Sequence, residues 1–186
     1  MALNTNEIKA RMKQQEGSID HMYLDTRGFV TVGVGQLLAS EEAAAELGFI
    51  HRDSGAEATR DDIINEYRNL KSQQPSLVAT RYREFTQLML PEATIDAMLE
   101  QKIDEFSLGL QKELTDFDGF PDAAKEGLLD MAFNLGLNGL MRKFPSFIAA
   151  AKRQDWNGCA AECHRNGIGE SRNELTVSLF KQAAQG

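Results

Sequence analysis

Three side chains near the amino terminus have the types and spacing for acid–base chemistry: Glu16, Asp25 nine residues on, and Thr31 six residues further. Hydrolysis of a glycosidic bond needs an acid that protonates the leaving oxygen and, across a cleft, a carboxylate that activates water or stabilises the developing cation. Glu16 suits the acid. It falls in the last turn of a helix, on the apolar stripe of Ile8 and Met12, where burial and the negative helix end both disfavour its ionised form and raise its pKa. Asp25, on an exposed turn between strands, is expected to stay ionised, and environments that separate two carboxylates in this way assign the acid and base roles. Thr31 offers a hydroxyl able to hold a water. Each residue also has an ordinary reading: a solvated helix-end glutamate, a turn-forming aspartate, a strand threonine. Spacing alone leaves both readings open.

The elements that must position these residues follow from local patterns. Asn4 and Glu7 read as a capping box for a helix over 5–15, stopped by Gly17. Met22-Tyr23-Leu24 and the alternating run Phe29 to Val34 read as two strands around the turn Asp25-Thr26-Arg27-Gly28, since Asp first and Gly fourth suit a type I turn. In the second strand Val30, Val32 and Val34 share one face, leaving Phe29, Thr31 and Gly33 on the other. Gly33-Val34-Gly35 lacks the third glycine and the helix of a dinucleotide fingerprint, so it reads as close backbone packing or substrate approach at Gly33.

Further along, Ser40 to Leu47 reads as a short helix, and Thr59 with Asp62 as the cap of another carrying Ile63, Tyr67 and Leu70. No period is decisive from Arg81 to Leu90. Pro91 then opens the longest helical pattern, with Ile95, Met98, Leu99, Ile103, Phe106 and Leu110 at spacings of three and four. Helices are predicted from Pro121 to about Gly136, over 145–152 and over 156–164, with Ser171 and Glu174 as a capping box for the last. The predicted class is α+β and mainly helical: a small lobe with a short antiparallel sheet (about 16–90), a connecting helix (about 91–114), and a helical lobe (about 115–186 with 1–15), all within a single domain spanning 1–186.

Composition sets outer limits. The 186 residues include 28 acidic and 20 basic side chains, a net charge of −8, and 42% hydrophobic residues, enough for a true core. The acidic balance argues against nucleic acid as a partner and against long-range attraction to anionic membranes. No run approaches a membrane span, and the first residues lack the apolar core of a secretory signal, so a route out of the cytoplasm is expected to come from elsewhere. Cys159 and Cys163, four apart on a predicted helix, read as small core residues. With His164 they could bind a metal, but His21 and His51 show no matching spacing, so no metal site and no cofactor are expected. Trp156 reads as core, with a sugar platform as the alternative.

The segment Glu16-Gly17, then Tyr23-Leu24-Asp25-Thr26-Arg27-Gly28-Phe29-Val30-Thr31-Val32-Gly33-Val34-Gly35, resembles the signature of phage-type lysozymes, the endolysins that cleave peptidoglycan: a helix-end E-G, then Y-x-D-x-x-G, then T-I/V-G-x-G. The resemblance implies a lysozyme-like fold. It puts Glu16 at the family's catalytic glutamate, Asp25 at its catalytic aspartate and Thr31 at its active-site threonine. Met131-Ala132-Phe133-Asn134-Leu135-Gly136, Phe144 and Trp156 follow the family's helical-core order, and Arg172 with Phe180 resembles its closing segment. On that basis Phe133, Asn134, Arg172 and Gly33 are implied as substrate-binding. Gln36 stands where family members carry His.

What the resemblance implies is a muramidase acting on the β-1,4 bond between N-acetylmuramic acid and N-acetylglucosamine, with inversion at the anomeric carbon. The partner would be a peptidoglycan strand met by a monomer in the periplasm or on the wall. Delivery would need a membrane pore, injection with an immunity protein as counterpart, or a longer parent chain. A hydrolase of another N-acetylglucosamine polymer and a wall-binding module without turnover are the alternatives.

Overall fold

A computed structural model describes the backbone of residues 5–186, and side chains over 8–14 and 17–186. The proposed Asn4–Glu7 cap and the Glu16 side chain therefore lie outside the described residues. Helix accounts for 60% and strand for 10%, which makes the fold mainly helical with a small antiparallel sheet, an α+β class. Its contacts divide the chain into two compact units, one over Lys9–Leu99 and the other over Glu100–Gly186 with the N-terminal residues up to Ile8.

In the Lys9–Leu99 unit, helix α1 (Thr5–Glu16) contributes its later turns and ends at Gly17, whose φ of +76° is the left-handed geometry glycine supplies at a helix stop. Strands β1 (Ile19–Leu24), β2 (Val30–Gly33) and β3 (Gln36–Leu37) form an antiparallel sheet in that order. Tyr23 faces Thr31 and Leu24 faces Val30, while Thr31 faces Leu37 across the other edge. The third strand is too short to leave an alternating pattern. Its turn is built on Gly33 and Gly35, at φ +63° and +74°.

All four β2 residues are buried, because the strand is central in its sheet and the unit's core closes over it. That core gathers Met22, Leu24, Val30, Val32, Phe49 and Leu70 with their neighbours. Helix α2 (Glu41–Ala45), shorter than the predicted Ser40–Leu47, starts at the cap Ser40, and α3 (Arg60–Lys71) starts at the reciprocal Thr59–Asp62 capping box that its sequence predicts. The stretch from Arg81 to Leu90, where no period is decisive, holds most of a 3₁₀ stretch (Ala79–Phe85) and strand β5 (Leu88–Met89), paired with β4 (Ile50–His51).

Buried polar groups fasten this segment. Glu66 of α3 accepts from the backbone N–H groups of Gln87 (2.5 Å) and Leu88 (3.1 Å). Arg52 donates to the carbonyls of Thr86 and Leu88, and His21 lies 3.1 Å from the Ala79 carbonyl. Burial pushes the Glu66 carboxyl above its usual range, against the lowering effect of those two amides and of the Arg52 and His21 charges.

Helix α4 (Glu92–Glu113) gives its first turns to this unit and the rest to the second. There follow α5 (Asp122–Leu135), α6 (Leu137–Lys143), α7 (Pro145–Lys152), α8 (Trp156–Glu162) and α9 (Glu170–Ala183). Gly127 of α5 lies so close to Phe180 of α9 that an added Cβ would fall 2.7 Å from the ring, so only glycine permits this helix approach. Trp156 is core, stacked near-parallel on Phe180 and edge-on to Phe120.

The predicted Ser171–Glu174 capping box does not form. The cap is Gly169, and Arg172 and Asn173 donate their backbone N–H groups to its carbonyl. The helix starts early because its first turn is tied inward. Asn173 brackets the Arg165 main chain with two 3.0 Å bonds, and Arg165, Arg172 and Thr176 converge on Asp130 of α5. Among the described residues no helix is long and apolar enough to cross a membrane.

Candidate active site

Asp25 sits at the head of the β1–β2 turn, held by its own backbone. Its N–H donates to the Phe29 carbonyl (2.9 Å) and its carbonyl accepts from Gly28 (3.0 Å), which closes the turn as Asp-first, Gly-fourth chemistry requires. Gly28 takes φ +77° there. The side chain adds a second layer, since Oδ1 accepts from the backbone N–H groups of Arg27 and Phe29, both at 2.8 Å. One carboxylate oxygen is thereby fixed by two amides, and the half-buried group is oriented without a cationic partner in those bonds.

Thr31, two residues into the strand, is 4% exposed, and its Oγ1 donates to the Phe29 carbonyl at 3.2 Å. The Phe29 backbone thus links the two candidates: its N–H serves Asp25 Oδ1 and its carbonyl serves Thr31 Oγ1. With its proton committed, the Thr31 hydroxyl offers lone pairs, suited to accepting from a water.

Glu16 is the last residue of α1. One turn earlier, Met12 is buried and Lys13 bonds Glu92 at 3.1 Å and pairs with Asp96, fastening the end of α1 to the first turn of α4. The Asp96 bond, first, and then Glu92 hold the Lys13 ammonium above its usual range. The same α4 turn meets β2: Ile95 stands 3.6 Å from where a Gly33 Cβ would lie. One helix start thus locates both the end of α1 and the end of β2. What demands glycine at position 33 is its positive φ, because the space beside it is only ordinary van der Waals contact.

The remaining candidates belong to the Glu100–Gly186 unit. Phe133 and Asn134 lie half-buried in the last turn of α5, with Phe133 edge-on to Phe106 at 4.9 Å. Arg172 is committed to Asp130 Oδ1 through Nε (2.9 Å) and Nη2 (2.8 Å), a structural bond that its sequence position does not signal.

Among the described residues no group of three or more His, Cys, Asp or Glu is arranged to hold a metal ion. Both cysteines are buried and unpaired. Burial pushes the Cys159 thiol up to about 12, out of reach of thiolate chemistry near neutral pH.

Two cations at the Asp25 turn escape a reading of spacing. Lys71, at the end of α3, donates to the Gly28 carbonyl at 2.9 Å, and the Arg27 guanidinium lies 4.9 Å from the centre of the Phe29 ring. Lys71 is 43 residues from Gly28, a separation no local pattern reports. No protein-family model matches the chain, and no curated protein matches it either.

Proposed function

We propose that this chain is a muramidase with a lysozyme-like fold, hydrolysing the β-1,4 bond between N-acetylmuramic acid and N-acetylglucosamine in peptidoglycan. Glu16 protonates the leaving oxygen, while Asp25 and Thr31 position and activate a water on the opposite face of the sugar, an inverting division of labour. The observation that carries this reading is the Asp25 turn. A carboxylate oriented by two backbone amides shares the Phe29 backbone with a hydroxyl whose lone pairs are available. Such a pair is built to hold a polar reactant at low reorganisation cost. The enzyme acts as a monomer on the wall or in the periplasm, delivered through a pore, by injection, or as part of a longer chain.

The test is turnover of purified peptidoglycan by wild type and Glu16→Gln. Loss of the general acid should slow hydrolysis by about 10²–10⁴-fold with the fold intact. A folded Glu16→Gln protein with near wild-type rate removes Glu16 from the chemistry. Reducing ends in the wild-type products are expected; anhydro ends would mean a lytic transglycosylase instead.

A further inference from the structure

The chain carries a net charge of −8, yet the turn that holds Asp25 is locally cationic. Arg27 comes from the turn itself and Lys71 from α3, and both ammonium and guanidinium stand over one ring, Phe29, at 5.8 and 4.9 Å. The ring is 41% exposed, one of few large apolar side chains among the described residues so open to solvent. Among the described residues neither cation makes an ion pair. Two cations held against an exposed aromatic face, with no carboxylate of the described residues on them, form a recognition patch for an anion that also has an apolar surface.

The patch is braced. Lys71 bonds the Gly28 carbonyl, Pro75 lies beside Gly28, and Ser76, at φ +68°, donates its hydroxyl to the Thr26 carbonyl at 3.4 Å. A non-glycine residue in the left-handed region is strained and persists where its surroundings hold it. The α3 end and the loop after it thus support the Asp25 turn from outside. Asp25 in turn fixes the backbone of both Arg27 and Phe29 through one oxygen, so the patch and the carboxylate keep a constant register.

We propose that Arg27, Phe29 and Lys71 form a subsite for the acidic peptide stem carried by the muramoyl residue. The cations take its carboxylates, and the ring takes the apolar face of the lactyl-alanyl segment. The assignment rests on Asp25 being the catalytic carboxylate, which puts the stem of a bound strand beside the turn. A neutral N-acetylglucosamine polymer offers nothing to these cations, so the patch selects peptidoglycan over chitin-like strands. Because the rest of the protein is acidic, this attraction is short-ranged and acts only after encounter.

The experiment compares kcat/KM on soluble glycan bearing free-acid stems with kcat/KM on the same glycan after an amidase has removed the stems and the lactyl carboxylates left by that cleavage have been converted to primary amides. Wild type should prefer the acid-bearing strand, and Arg27→Gln with Lys71→Gln should cut that preference about 10-fold, as expected for lost charge-assisted bonds. Since Lys71 also braces the turn, Arg27→Gln alone should give a smaller loss with that bond intact. Amidating the stem carboxylates should reproduce the double-variant loss on the unmodified protein. A preference unchanged within twofold in the double variant, or unaltered by amidation, overturns the subsite. Calorimetric binding of the stem-bearing disaccharide separates the two readings. Charge-dependent binding by a chain that hydrolyses neither strand sustains the subsite and defeats the muramidase, whereas turnover with unchanged preference does the reverse.

Discussion

Two aspartates in the two units are satisfied in opposite ways. Asp130 is 3% exposed and both its oxygens are taken. Oδ2 bonds Arg165 (2.6 Å) and Thr176 (2.8 Å), and Oδ1 bonds Nε and Nη2 of Arg172. Asp25 is half-buried, with Oδ1 held only by neutral backbone amides. A carboxylate clamped by two guanidiniums cannot take a water without dismantling its surroundings, so Asp130 is architecture. One oriented from behind by amides keeps its second oxygen for a reactant. Burial and charge pairing alone single out Asp130, the aspartate whose partners leave neither oxygen for a reactant.

The comparison breaks or holds on paired variants. Asp130→Ala leaves Arg165, which is 2% exposed, as a buried uncompensated charge, and it should lower unfolding stability by about 3–5 kcal/mol. Urea titration followed by far-UV circular dichroism measures it. Asp25→Asn keeps an acceptor for the two amides, so its stability should stay within about 1 kcal/mol of wild type. Its peptidoglycan turnover should nevertheless fall by about 10²-fold or more. A variant at Asp25 that unfolds, or one at Asp130 that is as stable as wild type, would reverse the roles assigned to the two residues.

How much of this could be read from the chain depends on sequence separation. The Thr59–Asp62 cap, the Asp25-to-Gly28 turn, the Gly17 stop and the α4 stripe are set by residues within four or so positions of each other, and all four are present. The Asp130 cluster draws on positions 130, 165, 172 and 176, and the brace on the turn joins Lys71 to Gly28. Such pairings leave no periodic trace. Two-residue strands such as β3, β4 and β5 are too short to alternate. Ser171 fails as a cap for a related reason: the long-range bonds of Arg172, Asn173 and Thr176 start the helix at Glu170, and local preference yields to them. At the candidate site, the turn around Asp25 could be read from its sequence, but the use of the Phe29 backbone to tie Asp25 to Thr31 could not.

The smallest effect sharpens the contrast from a third carboxylate. Glu66 resembles Asp130 in burial and Asp25 in being held by backbone amides, with no ion pair to neutralise it among the described residues. Its folded pKa is raised, burial being the main cause, so the folded state holds the proton more tightly than the unfolded chain does. The stability this confers is fully present below the unfolded carboxyl pKa, about 4.5, and is lost as pH rises through the folded value. Glu66→Gln removes the titration while keeping an acceptor for Gln87 and Leu88. Relative to wild type the variant should therefore gain stability as pH is raised from 4 to about 8, read as a widening gap between urea midpoints. A gap that stays flat across that range would mean that Arg52 and His21 compensate the buried charge fully. Glu66 would then join Asp130 as a neutralised structural group, and Asp25 would be left as the one aspartate or glutamate of the three whose surroundings invite chemistry.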